Sequence, residues 1–270
     1  MALLRTTPVR PIFRPLTVAA VEPVADRAVS VAFDVSDSEV QHYLDYRAGQ
    51  YVTLDAAIED ERVRQSYSLW TRPAMARAEG RLRIAVAEVS GGRMSPWLAS
   101  HVTAGDTIDV LAPRGDFTYA VGSAPEGGSR HAVVAGGSGI TPVLAIAAEI
   151  LADGSSNEVD LVLANRTRAS SVLREHVERL VTDSEGRLRV TDVLSREESP
   201  GARHGRIDAA LLTELLGERA LDRAGWWLCG PSGLLEVSEK WLADQGVATD
   251  LVHRERFTST GPVDPRPAPA

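Results

Sequence analysis

Cys229 is the only cysteine in this 270-residue sequence. No disulfide can therefore form within it, and no iron–sulfur cluster can be held by the usual set of about four thiolates. Lysine is equally scarce: Lys240 stands alone, and every other Lys or Arg position is arginine. This is a bias of base composition before it is a functional signal, and it makes any lone arginine weak evidence for a bound anion. Basic charge is in deficit, with a net charge of −8, which argues against a nucleic-acid partner, whose phosphates require a basic face. An acidic surface either steers a basic partner or keeps a protein soluble. No apolar run approaches the roughly 18 residues that span a bilayer, so no membrane span is expected. The stretch from Met1 to Arg5 has neither an apolar core nor a cleavage site, so a cytoplasmic protein is the expectation.

The chain is 44% hydrophobic and 24% charged, which allows a buried core, and its length suits one large domain or two of ordinary size. Two halves differ in hydrophobic period. In the first, Leu82, Ile84 and Val86 alternate with polar or small residues, the pattern of a half-buried strand. Segments 29–35, 50–55, 64–70 and 107–111 have similar length and β-branched or aromatic content, and residues 95–101 read as a short helix. Short strands without long helices between them predict an antiparallel barrel over residues 12–122. The turn-rich stretch 121–129 reads as a linker. Beyond it, apolar runs at 131–135, 159–164, 188–194 and 226–229 alternate with helical stretches at 142–152, 170–182, 208–219 and 234–245. That order predicts a doubly wound parallel-sheet α/β domain over residues 130–258. Residues 259–270, with four prolines, read as a disordered tail.

In an open parallel sheet, ligands bind beyond the carboxyl ends of the strands. The first such end is Gly136-Gly137-Ser138-Gly139-Ile140-Thr141-Pro142. Its glycines permit close approach of a ligand, Thr141 can cap the following helix, and Pro142 suits a first helical position. A helix start of this kind favours a phosphate, although an ordinary strand–helix turn has the same ingredients. The second end is Asn165-Arg166-Thr167, and the third is Ser195-Arg196-Glu197. A hydroxyl beside a guanidinium suits a ribose 2′-phosphate, with Arg206 as a second donor; a solvated loop explains them equally well. The fourth end, Cys229-Gly230-Pro231, puts a thiol at a strand terminus with no histidine–acid pair to make it a nucleophile. In the first half, Arg64 and Tyr67 can neutralise a phosphate and stack on a flat ring. Positions three apart on a strand face opposite ways, so this pairing requires an irregular strand end. In Gly91-Gly92-Arg93-Met94-Ser95, amides and the Ser95 hydroxyl can hold a pyrophosphate. No metal-ligand set is read in the chain.

The ordered set Arg64-Gln65-Ser66-Tyr67-Ser68, Gly91–Ser95, Gly137–Pro142, Asn165–Thr167, Ser195–Glu197, Cys229–Pro231 and Glu255-Arg256-Phe257 resembles the ferredoxin–NADP reductase superfamily, nearest to its oxygenase-reductase branch of the phenylacetyl-CoA epoxidase type. The resemblance spans residues 12–258. It implies a flavin-binding barrel and a pyridine-nucleotide domain that together move hydride from NADPH to FAD and pass electrons to a separate acceptor, such as a ferredoxin, a diiron oxygenase or a desaturase. It implies that Arg64, Tyr67, Ser68, Gly92, Arg93, Met94 and Ser95 hold FAD, and that Gly137, Gly139, Thr141, Pro142, Arg166, Gly230 and Pro231 serve the nicotinamide coenzyme. It further implies that Thr141 and Cys229 flank the nicotinamide and that Glu255 lies near the flavin, so that Cys229, Glu255 and Tyr67 are the catalytic candidates. Ser195 and Arg196, with Arg206, favour NADPH over NADH. Members of this branch usually continue into an iron–sulfur domain, for which this sequence has a proline-rich stretch and no cysteines. A free flavin reductase or diaphorase, using flavin as substrate, is the alternative activity.

Overall fold

Alternation of apolar and polar residues builds the first sheet. The computed structural model describes residues 12–122 and 127–257; the stretch 259–270 and the centre of the 121–129 turn lie outside them. Six strands, β1 (Phe13–Ala25), β2 (Ala28–Asp34), β3 (Tyr51–Ile58), β4 (Glu61–Ser68), β5 (Arg81–Ala87) and β6 (Thr107–Arg114), form an antiparallel sheet in the order β4-β3-β6-β1-β2-β5. A bridge between Leu69 and Ile84 joins the two ends into a barrel. In β5 the alternating residues Leu82, Ile84 and Val86 are all buried, as their spacing requires. β1 was invisible in the sequence because Pro15 and Pro23 interrupt its pattern. Its first part pairs with β6 and its second with β2, with irregularities at Val18/Ala20 and Pro23/Ala25. Such bulges bend a strand around a barrel and are among the few places where a strand accepts proline. Two short helices, α1 (Pro73–Glu79) and α2 (Met94–Ser100), complete this half. α1 was also unforeseen, although Pro73 at its first position is a start signal.

The second half is a parallel sheet of β7 (Arg130–Gly136), β8 (Glu158–Asn165), β9 (Leu188–Leu194), β10 (Arg203–His204), β11 (Gly225–Cys229) and β12 (Val252–Glu255), ordered β10-β9-β8-β7-β11-β12. Helices α3 (Ile140–Asp153), α4 (Arg174–Asp183), α5 (Ala209–Leu216) and α6 (Ser232–Asp244) connect the strands. From β7 the chain proceeds to one side through β8, β9 and β10, then returns to the other side for β11 and β12. The boundary between β7 and β11 is therefore a topological switch point, where open α/β sheets form a ligand crevice.

α2, α5 and α6 start within two residues of expectation, and the displaced starts of α4 and α3 have local causes. α4 begins at Arg174 rather than at residue 170, because the Ser170 and Ser171 hydroxyls donate to the Thr167 carbonyl at 2.9 and 3.2 Å and hold a turn there. α3 begins at Ile140, directly after a 3-10 turn over Gly137–Gly139. Thr141 therefore does not cap it and Pro142 is not its first residue. The Thr141 hydroxyl donates back to the Ser138 carbonyl at 2.9 Å, and Pro142 sits third, where a backbone N–H has no helical partner to lose.

One apolar cluster fills the barrel, including Phe33, Leu54, Leu82 and Leu98. A second packs α5 and α6 on one face of the parallel sheet. The third lies between the halves: Ala48, Trp70, Phe117 and Tyr119 from the barrel side join Ile146, Ile150, Leu163 and Trp227 from the sheet side. At this junction a side chain on Gly49, whose φ is +100°, would lie 2.0 Å from the Phe117 carbonyl oxygen and 2.9 Å from Ile146 Cδ1. Only glycine allows so close an approach.

Candidate active site

A groove of about 1040 Å³ runs along the carboxyl ends of the parallel strands. Gly136, Gly137 and Ser138 after β7, Asn165 and Arg166 at the end of β8, Ser195 after β9, Arg206, and Gly230 and Pro231 after β11 form one wall. The opposite wall comes from the barrel half, with Asp26 and Arg27 in the β1–β2 connection and Glu88, Val89 and Ser90 after β5. The walls are tied together at their base. The Asp26 N–H donates to the Ala169 carbonyl at 2.9 Å, and the Leu173 N–H to the Val24 carbonyl at 3.2 Å. Arg27 donates through Nε and Nη2 to one oxygen of Glu88, at 3.0 and 2.7 Å.

Among the expected coenzyme residues, Gly137, Arg166, Ser195, Arg206, Gly230 and Pro231 line this groove, and Gly139, Thr141, Pro142, Cys229 and Arg196 do not. Arg196 is exposed outside it. Its N–H donates to the Arg166 carbonyl at 2.9 Å, while the N–H of Ser195 donates to the Asn165 carbonyl at 3.0 Å. Ser195 and Arg196 lie in a bend just after β9, with Ser195 on the groove wall and Arg196 outside it. Arg166 and Arg206 are the cations that share the groove wall with Ser195. Asp26, Arg27, Glu88 and Phe257 were missed by sequence reasoning. The first three belong to the barrel half, and nothing local signals which tight turn of one domain will meet the other.

The switch point is built by close backbone contact. A Cβ on Gly139 would lie 2.2 Å from the Cys229 carbonyl oxygen, so glycine is what lets the turn after β7 close on the end of β11. Cys229 is fully buried beneath this contact. It is paired with Ala135 on β7 and Glu255 on β12. Two residues back, Trp227 stacks on His253 with ring centroids 4.2 Å apart and planes 19° apart. Burial, and secondarily the Glu255 charge, push the Cys229 thiol well above its ordinary pKa, so it is a neutral thiol at physiological pH and no nucleophile. Burial pushes the Glu255 carboxyl up to about 7. Its Oε2 is buried with no hydrogen-bond partner among the described residues. A carboxyl whose ionised form is disfavoured by burial, with an unused oxygen, therefore stands beside the switch point.

On the barrel, Arg64 and Tyr67 do not share a face. β4 pairs with β3 without interruption from Glu61 to Ser68, so the irregular strand end that would bring them together is absent. Arg64 faces outward, donating Nε to Asp55 Oδ2 at 2.8 Å, with its guanidinium over the Phe13 ring at 4.9 Å. Tyr67 packs its ring against the barrel core, and burial raises the pKa of its phenol. Ser68 is buried beside it, opposite Tyr51. In the 91–95 segment, Met94 is in the barrel core and the Ser95 hydroxyl accepts the Val89 N–H at 3.0 Å. The Met94 side chain is thus packed away, while the Ser95 hydroxyl, an acceptor in this bond, keeps its own proton to donate. Gly92 and Arg93 remain half-buried. Arg93 is anchored to Glu61 and, through Nη2 at 2.7 Å, to the Ile58 carbonyl.

This donor set fits nucleotides. Guanidiniums with unused N–H groups, at Arg166 and Arg206 in the groove and Arg64 and Arg93 on the barrel, match phosphate oxygens. Asn165 Nδ2 and Glu255 Oε2 are buried polar atoms without partners among the described residues; both stand at carboxyl ends of strands, and Asn165 lines the groove. Residues 15–119 match the oxidoreductase FAD-binding domain, and residues 133–240 match the oxidoreductase NAD-binding domain. The chain is 33% identical over 254 residues to a subunit of the 1,2-phenylacetyl-CoA epoxidase of Escherichia coli (strain K12), an alignment covering 92% of this chain and 69% of the relative. It is 31% identical to the reductase subunit of an aromatic O-demethylase from Amycolatopsis sp., covering 80% of this chain and 62% of that protein. Its fold superposes on a cytochrome P450 reductase of Amycolatopsis with a TM-score of 0.77 at 27% identity, over 96% of this chain and 74% of the other.

Proposed function

Because the chain belongs to the ferredoxin–NADP reductase family of FAD- and NAD-binding oxidoreductases, we propose that it is a reductase component that draws on NADPH, holds FAD, and delivers electrons to a separate oxygenase-type acceptor. The observation that carries this reading is the groove at the switch point, whose two walls come from the two different domains. A coenzyme lying in it is pressed against the barrel half. When bound, FAD supplies the conversion of a two-electron hydride donor into a one-electron source, and the protein supplies orientation and electrostatics.

In this reading Arg64 and Arg93 hold the phosphates of FAD, with the backbone at Gly92 and Ser95 beside them; Ser68, on the Arg64 face of β4, borders the flavin, and Tyr67 steadies the strand from the core side. The bare backbone of Gly137, Gly230 and Pro231 admits the coenzyme at the switch point. Arg166, Ser195 and Arg206 receive a 2′-phosphate. The buried neutral thiol of Cys229 keeps water from the floor of the site, and Glu255, poised near neutrality, holds or releases a proton there. Phe257, 45% exposed and on the groove wall, covers its mouth. The acceptor reading draws on the relatives, which are named as subunits of an epoxidase and an O-demethylase. A ferredoxin, a diiron oxygenase and a desaturase are acceptors of this kind.

Anaerobic titration of the purified protein with NADPH tests the reading directly. Bleaching of a bound flavin's visible absorption, reversed by added oxidised ferredoxin, is the expected result. A colourless protein that reduces added free flavin would instead establish a diaphorase. Arg206→Ala should raise the KM for NADPH about ten- to a hundredfold, the equivalent of about 1.5–3 kcal/mol for a lost charged hydrogen bond, with little change for NADH. Equal effects on both coenzymes would refute the NADPH assignment while leaving the reductase reading intact.

A further inference from the structure

Asn165 is the last residue of β8, is 8% exposed, and forms part of the groove wall. Its backbone is fixed. It pairs with Leu194 across the sheet, and its carbonyl accepts the Ser195 N–H at 3.0 Å and the Ser195 hydroxyl at 3.4 Å. Its side-chain Nδ2, in contrast, is buried with no hydrogen-bond partner among the described residues. Native folds rarely bury a donor unpaired, and each such group requires an explanation. The terminal torsion of an asparagine is broad, so the amide can turn its N–H₂ into the groove without moving the strand, with Oδ1 taking its place.

The strand order says which part of a ligand it meets. β8 is separated from β11 by β7 and from β12 by β7 and β11, and adjacent strands lie about 4.8 Å apart, which puts Asn165 at least about 10 Å from Cys229 and about 14 Å from Glu255. It stands instead between the glycine turn after β7 and Ser195 after β9, next to Arg166. We propose that Asn165 is a coenzyme-binding residue whose amide donates to an oxygen of the ribose phosphate in the adenosine half. This rests on the nicotinamide-coenzyme reading of the groove. The orphaned donor in the free protein is then a binding group held ready, and the fold carries its cost for the sake of the ligand.

The test is isothermal titration of the flavin-loaded protein with 2′,5′-ADP and with NADP⁺, alongside thermal melts of the ligand-free form, for the wild type, Asn165→Leu and Asn165→Asp. Asn165→Leu should weaken both ligands by the same factor, about tenfold, and should melt no lower than the wild type. Asn165→Asp, which keeps the shape but replaces the donor with a carboxylate, should weaken both at least as much. Unchanged affinity in either variant overturns the proposal. A loss for NADP⁺ without a matching loss for 2′,5′-ADP overturns the assignment to the adenosine half. If Asn165→Leu melts lower, Asn165→Asp decides: wild-type binding by that variant marks the residue as structural. A wild-type protein that binds neither ligand would instead overturn the NADPH reading on which the proposal stands.

Discussion

Glu255 shows how one buried side chain ties stability to pH. Its carboxyl is shifted up from 4.5 to about 7 by burial, so the folded state favours the protonated form. Below the unfolded value both states carry the proton and the group has no effect. Between about 4.5 and 7 the unfolded chain ionises first and stability falls as pH rises. Above about 7 both states are ionised and the penalty is constant. Glu255→Gln should remove this slope: its stability relative to the wild type should rise between pH 5 and pH 8, as measured by urea unfolding at the two values. Parallel curves for the two proteins would show that the carboxyl titrates normally. The position of this residue in a Glu-Arg-Phe segment was legible in the sequence. Its pKa was not, because desolvation depends on β11 and on what packs over it.

At the scale of elements, Asp55 clamps three strands. Its side chain on β3 is wholly buried and accepts Arg62 Nε at 2.7 Å and Arg64 Nε at 2.8 Å, both from β4. Arg62 continues at 2.8 Å to Asp109 on β6. Asp55→Ala should destabilise the protein by about 1–3 kcal/mol in denaturant titration. The loss stays moderate because both guanidiniums are partly exposed and can rehydrate. Loss of flavin retention alongside would indicate that Arg64 depends on the clamp for its orientation. The same strands mark the limit of periodicity as evidence. The alternation in β5 was readable because one face is buried and the other wet. The tie between Asp55 and the two arginines was not, since cross-strand partners are set by a register that β4's own residues do not disclose. Likewise the regular ladder of β4 separated Arg64 from Tyr67, which their closeness in sequence had suggested would act together.

The whole molecule is held by a cluster that belongs to neither domain alone. Ile146 on α3 packs in it with Trp70, Phe117 and Trp227, and the β1–β2 turn and the strand end at Val24 are bonded across the same junction. Unfolding should therefore be a single transition, with calorimetric and van't Hoff enthalpies equal. Ile146→Ala should lower the stability of both halves together by about 2–5 kcal/mol. Two separated transitions in the wild type would show that the junction is a loose contact.

By itself the sequence determined the two-layer plan and the positions of its strand-end turns. An antiparallel barrel precedes a parallel doubly wound sheet, and glycine, asparagine, serine and cysteine stand where strands give way to loops. Those features are local, and they follow from the period of hydrophobic residues and the conformations that glycine and proline permit. Only the tertiary structure decided which of those residues share a groove. It brought Arg166 and Arg206 to Ser195 and left Arg196 outside, buried Cys229 and Thr141 beneath the floor, and supplied a second wall from Asp26, Arg27 and Glu88. The physical reason is that a site between two domains is made by residues far apart in the chain. Their meeting depends on strand order, register and a shared core, none of which any short stretch of sequence contains.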